Sequence, residues 1–300
     1  MHKLWQTIRT SGLLLSLIAA ILSAVLINQH GLVLGQDFTG GYVSEFQLAQ
    51  DISSSELHDQ LTPYVYGEFR LSEQGALHWQ LFQPPHNNSS TPLDWHTQLP
   101  DDLGVEILDS RYVGAQIGAE LIDQGGLALL VSLLAVGLYL IVRFEWRLAV
   151  SASLALLHDV LITLGFFAAT GMEFDLTVLA ALLAIIGYSL NDSIVIGDKV
   201  RELVRARPDS TVSNTINAAL GSTLGRTAIT SLTTLTTIAA LWWLGGASLQ
   251  GFASALFIGV TVGTWSSVFV SATLPQWLGL SHSNYQRTLS EQEKQQLAEP

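Results

Sequence analysis

The sequence predicts a polytopic α-helical membrane protein: six transmembrane helices, with a small α+β domain inserted between the first and the second. Three observations carry this. Apolar runs of bilayer-crossing or near-crossing length recur along the chain. Only 13% of the 300 residues are charged, about half the roughly 25% of an average soluble domain. One long interval, residues 29–123, interrupts the apolar pattern with 14 acidic residues and only two basic ones, Arg70 and Arg111.

The first run, Gly12 to Ile27, follows Lys3 and Arg9. A charged start before an apolar stretch resembles a signal peptide. Ser23 and Val25 offer a poor cleavage site and the run is long for a signal core, so residues 1–28 read as an N-terminus and an uncleaved first helix. Within 29–123, Gly40-Gly41 precede a strand at Tyr42–Leu48. A helix is expected over Ser53–Leu61 with Ser54 or Ser55 as cap. Strands at Glu68–Leu71 and Ala76–Phe82 flank a turn at Ser72–Gly75, and a last strand covers Val105–Val113. The order β-α-β-β-β suggests a reduced ferredoxin-like domain whose second helix is short or lost within Pro92–Leu99. The glycosylation pattern at Asn87-Asn88-Ser89-Ser90 reads as chance, and His78, His86 and His96 as surface residues, because their spacing matches no metal motif.

Five further apolar segments lie within residues 124–274: Leu127–Val142, Leu148–Ala169, Leu176–Gly197, Thr227–Leu244 and Gly251–Leu274. Arg143 to Arg147 is a tight charged turn, 198–225 a polar loop, and 275–300 a polar tail. Placing the N-terminus, that turn, that loop up to Arg226 and the tail on one side gathers 11 of the 13 Lys and Arg residues there. The positive side is cytoplasmic, so both termini are inside and the acidic domain is outside. The absence of cysteine removes disulfides and thiol chemistry, and a net charge of −12 argues against nucleic-acid binding.

Polar groups within the spans are the candidates for function. His158 and Asp159 lie centrally in the third, and Asn191 and Asp192 in the fourth. Asp192 sits about 24 Å along its helix from Leu176 at 1.5 Å per residue. A frayed helix end is the bland reading, but Ser193 to Ile196 continue the apolar or small pattern. Arg226 opens the fifth span, and Thr230, Thr233, Thr234 and Thr237 follow it on one helical face. For the threonines alone, hydrogen bonding between helices is the better expectation. For His158, Asp159, Asp192 and Arg226 together it is a proton path, since ionisable residues in membrane helices are expensive and mark ion routes. Desolvation favours a protonated carboxylate and a nearby guanidinium favours the charged one, so a movable pair can load and release a proton. Gly221-x-x-x-Gly225 and Gly259-x-x-x-Gly263 are candidates for close helix approach.

These residues reach a known family. GYSLNDSIV at 187–195 resembles the fourth span of the SecF family of protein-export membrane proteins. Gly35 to Gly41 resembles its signature after the first span, through Asp37, Phe38, Thr39, Gly40 and Gly41. Further matching blocks are Arg143–Arg147, Leu157–Val160, Arg226-Thr227 with Thr230-Ser231, Leu244–Gly246, and Gly263-Thr264 with Ser266-Ser267.

The resemblance implies a bacterial inner-membrane subunit of the resistance–nodulation–division superfamily, with its α+β domain in the periplasm. Its implied partners are SecD, the SecYEG channel, accessory Sec membrane subunits, preprotein chains at the periplasmic face, and membrane lipid. The implied energy source is the proton gradient, with no cofactor and no enzymatic reaction. Asp192 and Arg226 are the implied relay pair, with Asp159 and His158 as further candidates and Asn191, Thr230 and Thr234 as supporting polar groups. Two departures stand out: Val113-Gly114-Ala115 lacks the family's proline, leaving that connection less rigid, and Asp198-Lys199 replaces Asp-Arg with charge retained. Two alternatives remain at this level. One is an intramembrane aspartyl protease using Asp159 and Asp192, although its usual sequence motifs are missing. The other is a small-molecule or lipid pump of the same superfamily.

Overall fold

The computed structural model describes residues 2–65, 67, 69–75, 77–84, 95–99 and 103–282. The 87–90 pattern, His86 and most of the tail lie outside these. Six helices are long and apolar enough to cross a membrane, spanning Leu4–His30, Gly118–Arg143, Trp146–Thr170, Leu176–Ala206, Val212–Leu244 and Ser248–Trp277. They belong to α1 (His2–His30), α4 (Ala115–Arg143), α5 (Trp146–Thr170), α6 (Leu176–Ala206), α7 (Val212–Leu244) and α8 (Ala247–Ser266) with its π-helical continuation Ser267–Ser271 and the short α9 (Leu274–Trp277). Two minor helices, α2 (Gln36–Thr39) and α3 (Ser54–Leu61), lie between α1 and α4.

Local chemistry sets the helix ends. α1 stops where Gly31 turns left-handed at φ 68° and α5 where Gly171 does so at φ 67°, as a residue without Cβ permits. Asp175 caps α6 by accepting from the Val178 N–H at 2.8 Å, and Thr211 caps α7 by accepting from Asn214 at 3.3 Å.

The polar stretch expected as a loop at 198–225 is helical except for residues 207–211. Two effects extend the helices. Lys199–Glu202 and Arg201–Asp198 form pairs three residues apart on α6. Val200, Leu203, Val204, Ile216, Ala219 and Leu220 bury in the same apolar cluster as Phe144 and Leu148. Apolar periodicity continues past the last membrane-length run, and it carries the helix with it.

Packing divides the six spans. More than half of the apolar window is buried in the third and sixth (56% each) and 44% in the fourth, against 22%, 11% and 17% in the first, second and fifth. The bundle centre is therefore α5, α6 and α8. Glycine allows the tight approach of α6 and α8. A Cβ on Gly259 would meet the Ile185 side chain at 2.2 Å, and one on Gly263 would lie 3.0 Å from Ser189 Cβ. Gly221 and Gly225 have nothing within 4 Å and lie on the exposed side of α7.

The inserted domain is a four-stranded sheet with spatial order β2 (Arg70–Gly75), β3 (His78–Gln83), β1 (Gly41–Gln47), β4 (Glu106–Val113). Every neighbouring pair is antiparallel. This is the strand order of a ferredoxin-like sheet, with a short 3-10 turn at Trp95–Gln98 before the last strand. The β2–β3 reversal falls later than expected, because Ser72 to Gly75 are paired within β2 and the turn is made around Leu77 at φ 67°. Ser53, rather than Ser54 or Ser55, caps α3. Phe46, Leu48, Leu57, Leu61, Trp79 and Trp95 form the core on the α3 face.

Candidate functional site

The opposite face of the sheet looks onto the membrane helices. Period-two alternation puts Glu45, Gln80, Phe82, Arg70 and Arg111 on that face. With Glu173 and Gly251 from the span turns they line a polar cavity of about 640 Å³. The Gly35–Gly41 segment fastens the domain to α6. Gly35 N–H donates to Phe174 O at 2.8 Å, and Phe174 N–H donates to Val33 O at 2.7 Å. Asp37 Oδ2 accepts from the Leu176 N–H at 3.2 Å, so a second carboxylate meets the start of α6 from outside the helix. Phe38 stacks on Phe174 at 5.9 Å. α4 closes over the segment at Gly118, where a Cβ would lie 2.1 Å from Phe38 O. Gly41 is also constrained: at φ 142° its Cβ would lie 2.3 Å from Gln83 O. Arg70 adds an exposed ion pair to Glu173 at 3.0 Å.

Below this lie two buried carboxylates on different helices. Asp159, on α5, is fully buried. Its Oδ1 meets His158 Nδ1 at 2.9 Å. Its Oδ2 accepts from Ser189 Oγ on α6 at 2.5 Å and from Ser266 Oγ on α8 at 2.8 Å. One side chain thus ties together the three central helices. Ser266 is the last residue before the π-helical segment Ser267–Ser271, a local widening that is frequent at functional sites. A second hydroxyl link runs beside it: Tyr188 OH donates to Ser231 Oγ at 3.3 Å, and Ser231 Oγ and Thr264 Oγ1 are 2.7 Å apart.

Asp192, on α6, is also buried, at 3% exposure. The Arg226 charge acts on it, and the Thr227 hydroxyl is placed to bond its carboxylate. Its Oδ2, however, is buried without a hydrogen-bond partner, as are the Oγ of adjacent Ser193 and, on α5, His158 Nε2. Arg226 itself lies on the exposed face of α7. The partners that Asp159 has for its two oxygens are His158, Ser189 and Ser266, and Asp192 is not among them.

The expected site residues therefore separate. The Arg226 charge acts on Asp192 without an ion pair or hydrogen bond between them; Asp159 and His158 form a distinct knot about one turn away along α6, through Ser189. Asn191 is exposed, and Thr230 and Thr234 are half-buried. The expected bonds between helices are not the ones these threonines make. Thr230 donates to Arg226 O at 3.0 Å, and Thr234 to Thr230 O at 2.9 Å. Each spends its proton on its own helix. Ser189, Ser266 and Ser231 make the bonds between helices instead. Their signal was small hydroxyl residues within apolar spans, which periodicity alone does not distinguish from packing. Among the described residues no group of three or more His, Asp or Glu is gathered to hold a metal ion. An apolar cavity of about 560 Å³ between Phe166, Trp242 and Phe257 lies apart from both carboxylates.

Six spans, a ferredoxin-like domain between the first two, and buried carboxylates at the bundle centre define an α-helical membrane protein of transporter type. The profile described as "Protein export membrane protein SecD/SecF, C-terminal" matches residues 97–281. A protein translocase subunit SecF of Vibrio alginolyticus is 40% identical over 82% of this chain and 80% of its own, and one of Pseudomonas aeruginosa is 38% identical over 91% and 90%. The crystal structure of SecDF from Thermus thermophilus superposes with a TM-score of 0.80 at 33% identity, covering 93% of this chain and 38% of that one. A SecDF crystal structure in the super-membrane-facing form gives 0.68 at 32% identity, covering 99% and 39%. The chain belongs to the SecF family of protein translocase subunits. The protease alternative is not favoured.

Proposed function

We propose that this chain is the half-transporter that, with a SecD partner beside the SecYEG channel, couples the proton-motive force to late steps of preprotein export. The observation that carries the reading is Asp192: a buried carboxylate with one oxygen unpaired, acted on by an arginine on an unpartnered helix face. Such a group is incompletely solvated by its own chain. A second six-span half would cover the Gly221–Gly225–Arg226 face and close a polar chamber around it. The SecDF relatives, of whose length this chain covers 38–39%, support a partner of that kind. In this reading Asp192 and Arg226 carry the proton, while Asp159 with His158 holds α5, α6 and α8 in register around them. Each proton crossing 100 mV supplies about 2.3 kcal/mol. The Asp37 contact at the head of α6 gives that energy a route to the outer domain, where preprotein chains and lipid headgroups are met.

Vesicles containing the channel, SecD and this chain should export a model preprotein faster with an imposed proton gradient. Omission of SecD should remove that increment, and an undiminished increment from this chain alone would sink the reading. The 11-to-2 distribution of basic residues supports a cytoplasmic position for both termini. Because the chain has no cysteine, Ser90→Cys and Ser290→Cys report the sides directly. An impermeant thiol reagent should label only the first in cells with a permeabilised outer membrane.

A further inference from the structure

Arg9 differs from the other arginines at the end of the bundle where α1 begins. There, Arg143 and Arg201 both reach Asp198, at 2.8 and 2.9 Å, and Arg147 is paired with Glu145. Arg9 is 1% exposed, yet among the described residues no carboxylate is paired with it. Its Nη2 donates to Ser213 Oγ at 3.0 Å and to Gln276 Oε1 at 3.2 Å. Nε and Nη1 are buried with no hydrogen-bond partner among the described residues. A guanidinium does not shed its proton, so a full positive charge sits between three helices with only two neutral acceptors, far less than its burial requires.

A second, independent feature increases the positive potential. Ser213 is the second residue of α7, a helix of 33 residues. The first turn of a helix presents unsatisfied N–H groups and the positive end of its dipole. Thr211 caps only the Asn214 N–H. Arg9 and the head of α7 therefore reinforce each other, as in helix-terminal sites that hold phosphates.

We propose that Arg9, Ser213, Gln276 and the N-terminus of α7 form a binding site for a phosphate group, and that the group belongs to a phospholipid. The depth fits. Trp5, Trp146 and Trp277 are 40%, 52% and 59% exposed at this end of the bundle, as aromatic residues at the headgroup level are. Arg9 lies one turn into α1 from Trp5, and Gln276 is next to Trp277. Nε–H and Nη1–H lie on different edges of the guanidinium, so each offers a phosphate oxygen a single charge-assisted hydrogen bond, beside the Nη2 that donates to Ser213 and Gln276.

The test uses the full chain, purified in detergent and stripped of lipid. Phosphatidylglycerol, a diacylglycerol with the same acyl chains and inorganic phosphate are titrated separately. Native mass spectrometry reads occupancy, and the melting temperature reads stabilisation. One phosphatidylglycerol should bind and raise the melting temperature, and diacylglycerol should do neither. Arg9→Gln should weaken that binding by about 10-fold or more, the worth of a charged hydrogen-bond pair. Ser213→Glu places a carboxylate beside the guanidinium. It should melt higher than the parent without lipid and gain nothing from phosphatidylglycerol, which keeps the test decisive if Arg9→Gln does not fold. An equal, Arg9-dependent gain from inorganic phosphate would keep the site and make its occupant a soluble anion. Equal responses to phosphatidylglycerol in the parent and in Ser213→Glu, or no response to either phosphate source, would overturn the proposal.

Discussion

Asp159, on α5, is held by Ser189, which lies one turn before Asp192 along α6, yet the surroundings of the two buried aspartates are opposite. Asp159 has a partner for each oxygen, drawn from three elements: His158, Ser189 and Ser266. Asp192 keeps Oδ2 unpaired, and its strongest neighbour, Arg226, stands on an exposed face. A carboxylate with all its acceptor sites engaged inside rigid packing resists a change of protonation, because each new state breaks several bonds at once. A carboxylate with one free oxygen beside a long, mobile cation changes state at lower cost. Burial alone therefore does not mark the working residue; incomplete satisfaction does.

The sharpest way to break this comparison is to substitute both positions alike. Asp192→Asn keeps size and hydrogen bonding but cannot exchange a proton. It should abolish the gradient-dependent part of preprotein export while the protein still assembles at normal level. Wild-type gradient dependence in this variant would make Asp192 a structural residue. Asp159→Asn should instead retain part of that dependence and lose stability, because an amide nitrogen facing the Ser189 and Ser266 hydroxyls or His158 replaces an acceptor with a donor. Asp159→Ala should cost roughly 3 kcal/mol, from orphaning several buried donors at about 1–3 kcal/mol each, read as a lower melting temperature in detergent. If the two Asn variants lose export and stability in the same proportion, the distinction fails.

Arg226→Lys should have an intermediate effect. The ammonium keeps the charge near Asp192 but loses the planar five-donor fork. Gradient-stimulated export should fall without disappearing, with little change in melting temperature because Arg226 is exposed in the isolated chain. Full activity would show that charge alone is required; complete loss with normal assembly would show that the fork geometry is.

Much of this was legible in the sequence. Runs such as Leu176–Gly197 announced spans because a bilayer demands length and apolarity together, and Asp192 and Arg226 stood out because charge there is expensive. The inserted sheet was legible from the strand patterns at Tyr42–Leu48 and Ala76–Phe82. What remained hidden was pairwise. Nothing in the spacing of Ser189 or Ser266 says that both reach Asp159, since serine is common in membrane helices for packing alone. The threonine face of α7 suggested cross-helix bonding by its periodicity, but a hydroxyl four residues from a carbonyl on the same helix finds that acceptor first. The helical extension over 198–206 and 212–225 was obscured by its charges, because charged groups outside the bilayer signal a loop only where no apolar stripe runs beneath them.

The smallest expected effect concerns Asp37. Two carboxylates serve the head of α6: Asp175 from within, on the Val178 N–H, and Asp37 from the outer domain, on the Leu176 N–H. Loss of one such cap costs about 1 kcal/mol, and Gly35–Phe174 backbone pairing and the Phe38–Phe174 stack still hold the segment. Asp37→Ala should therefore lower the melting temperature only slightly. Its informative readout is coupling. If the Asp37 contact carries motion from α6 to the sheet, Asp37→Ala should reduce gradient-stimulated export more than Asp175→Ala does at equal loss of stability, because only Asp37 belongs to the outer domain. A double variant should show less than additive loss of stability if both carboxylates neutralise the same helix end. Equal export defects at equal stability would make Asp37 a cap and nothing more, leaving the Val33–Gly35 ladder with Phe174 as the connection between the domain and the helix that carries Asp192.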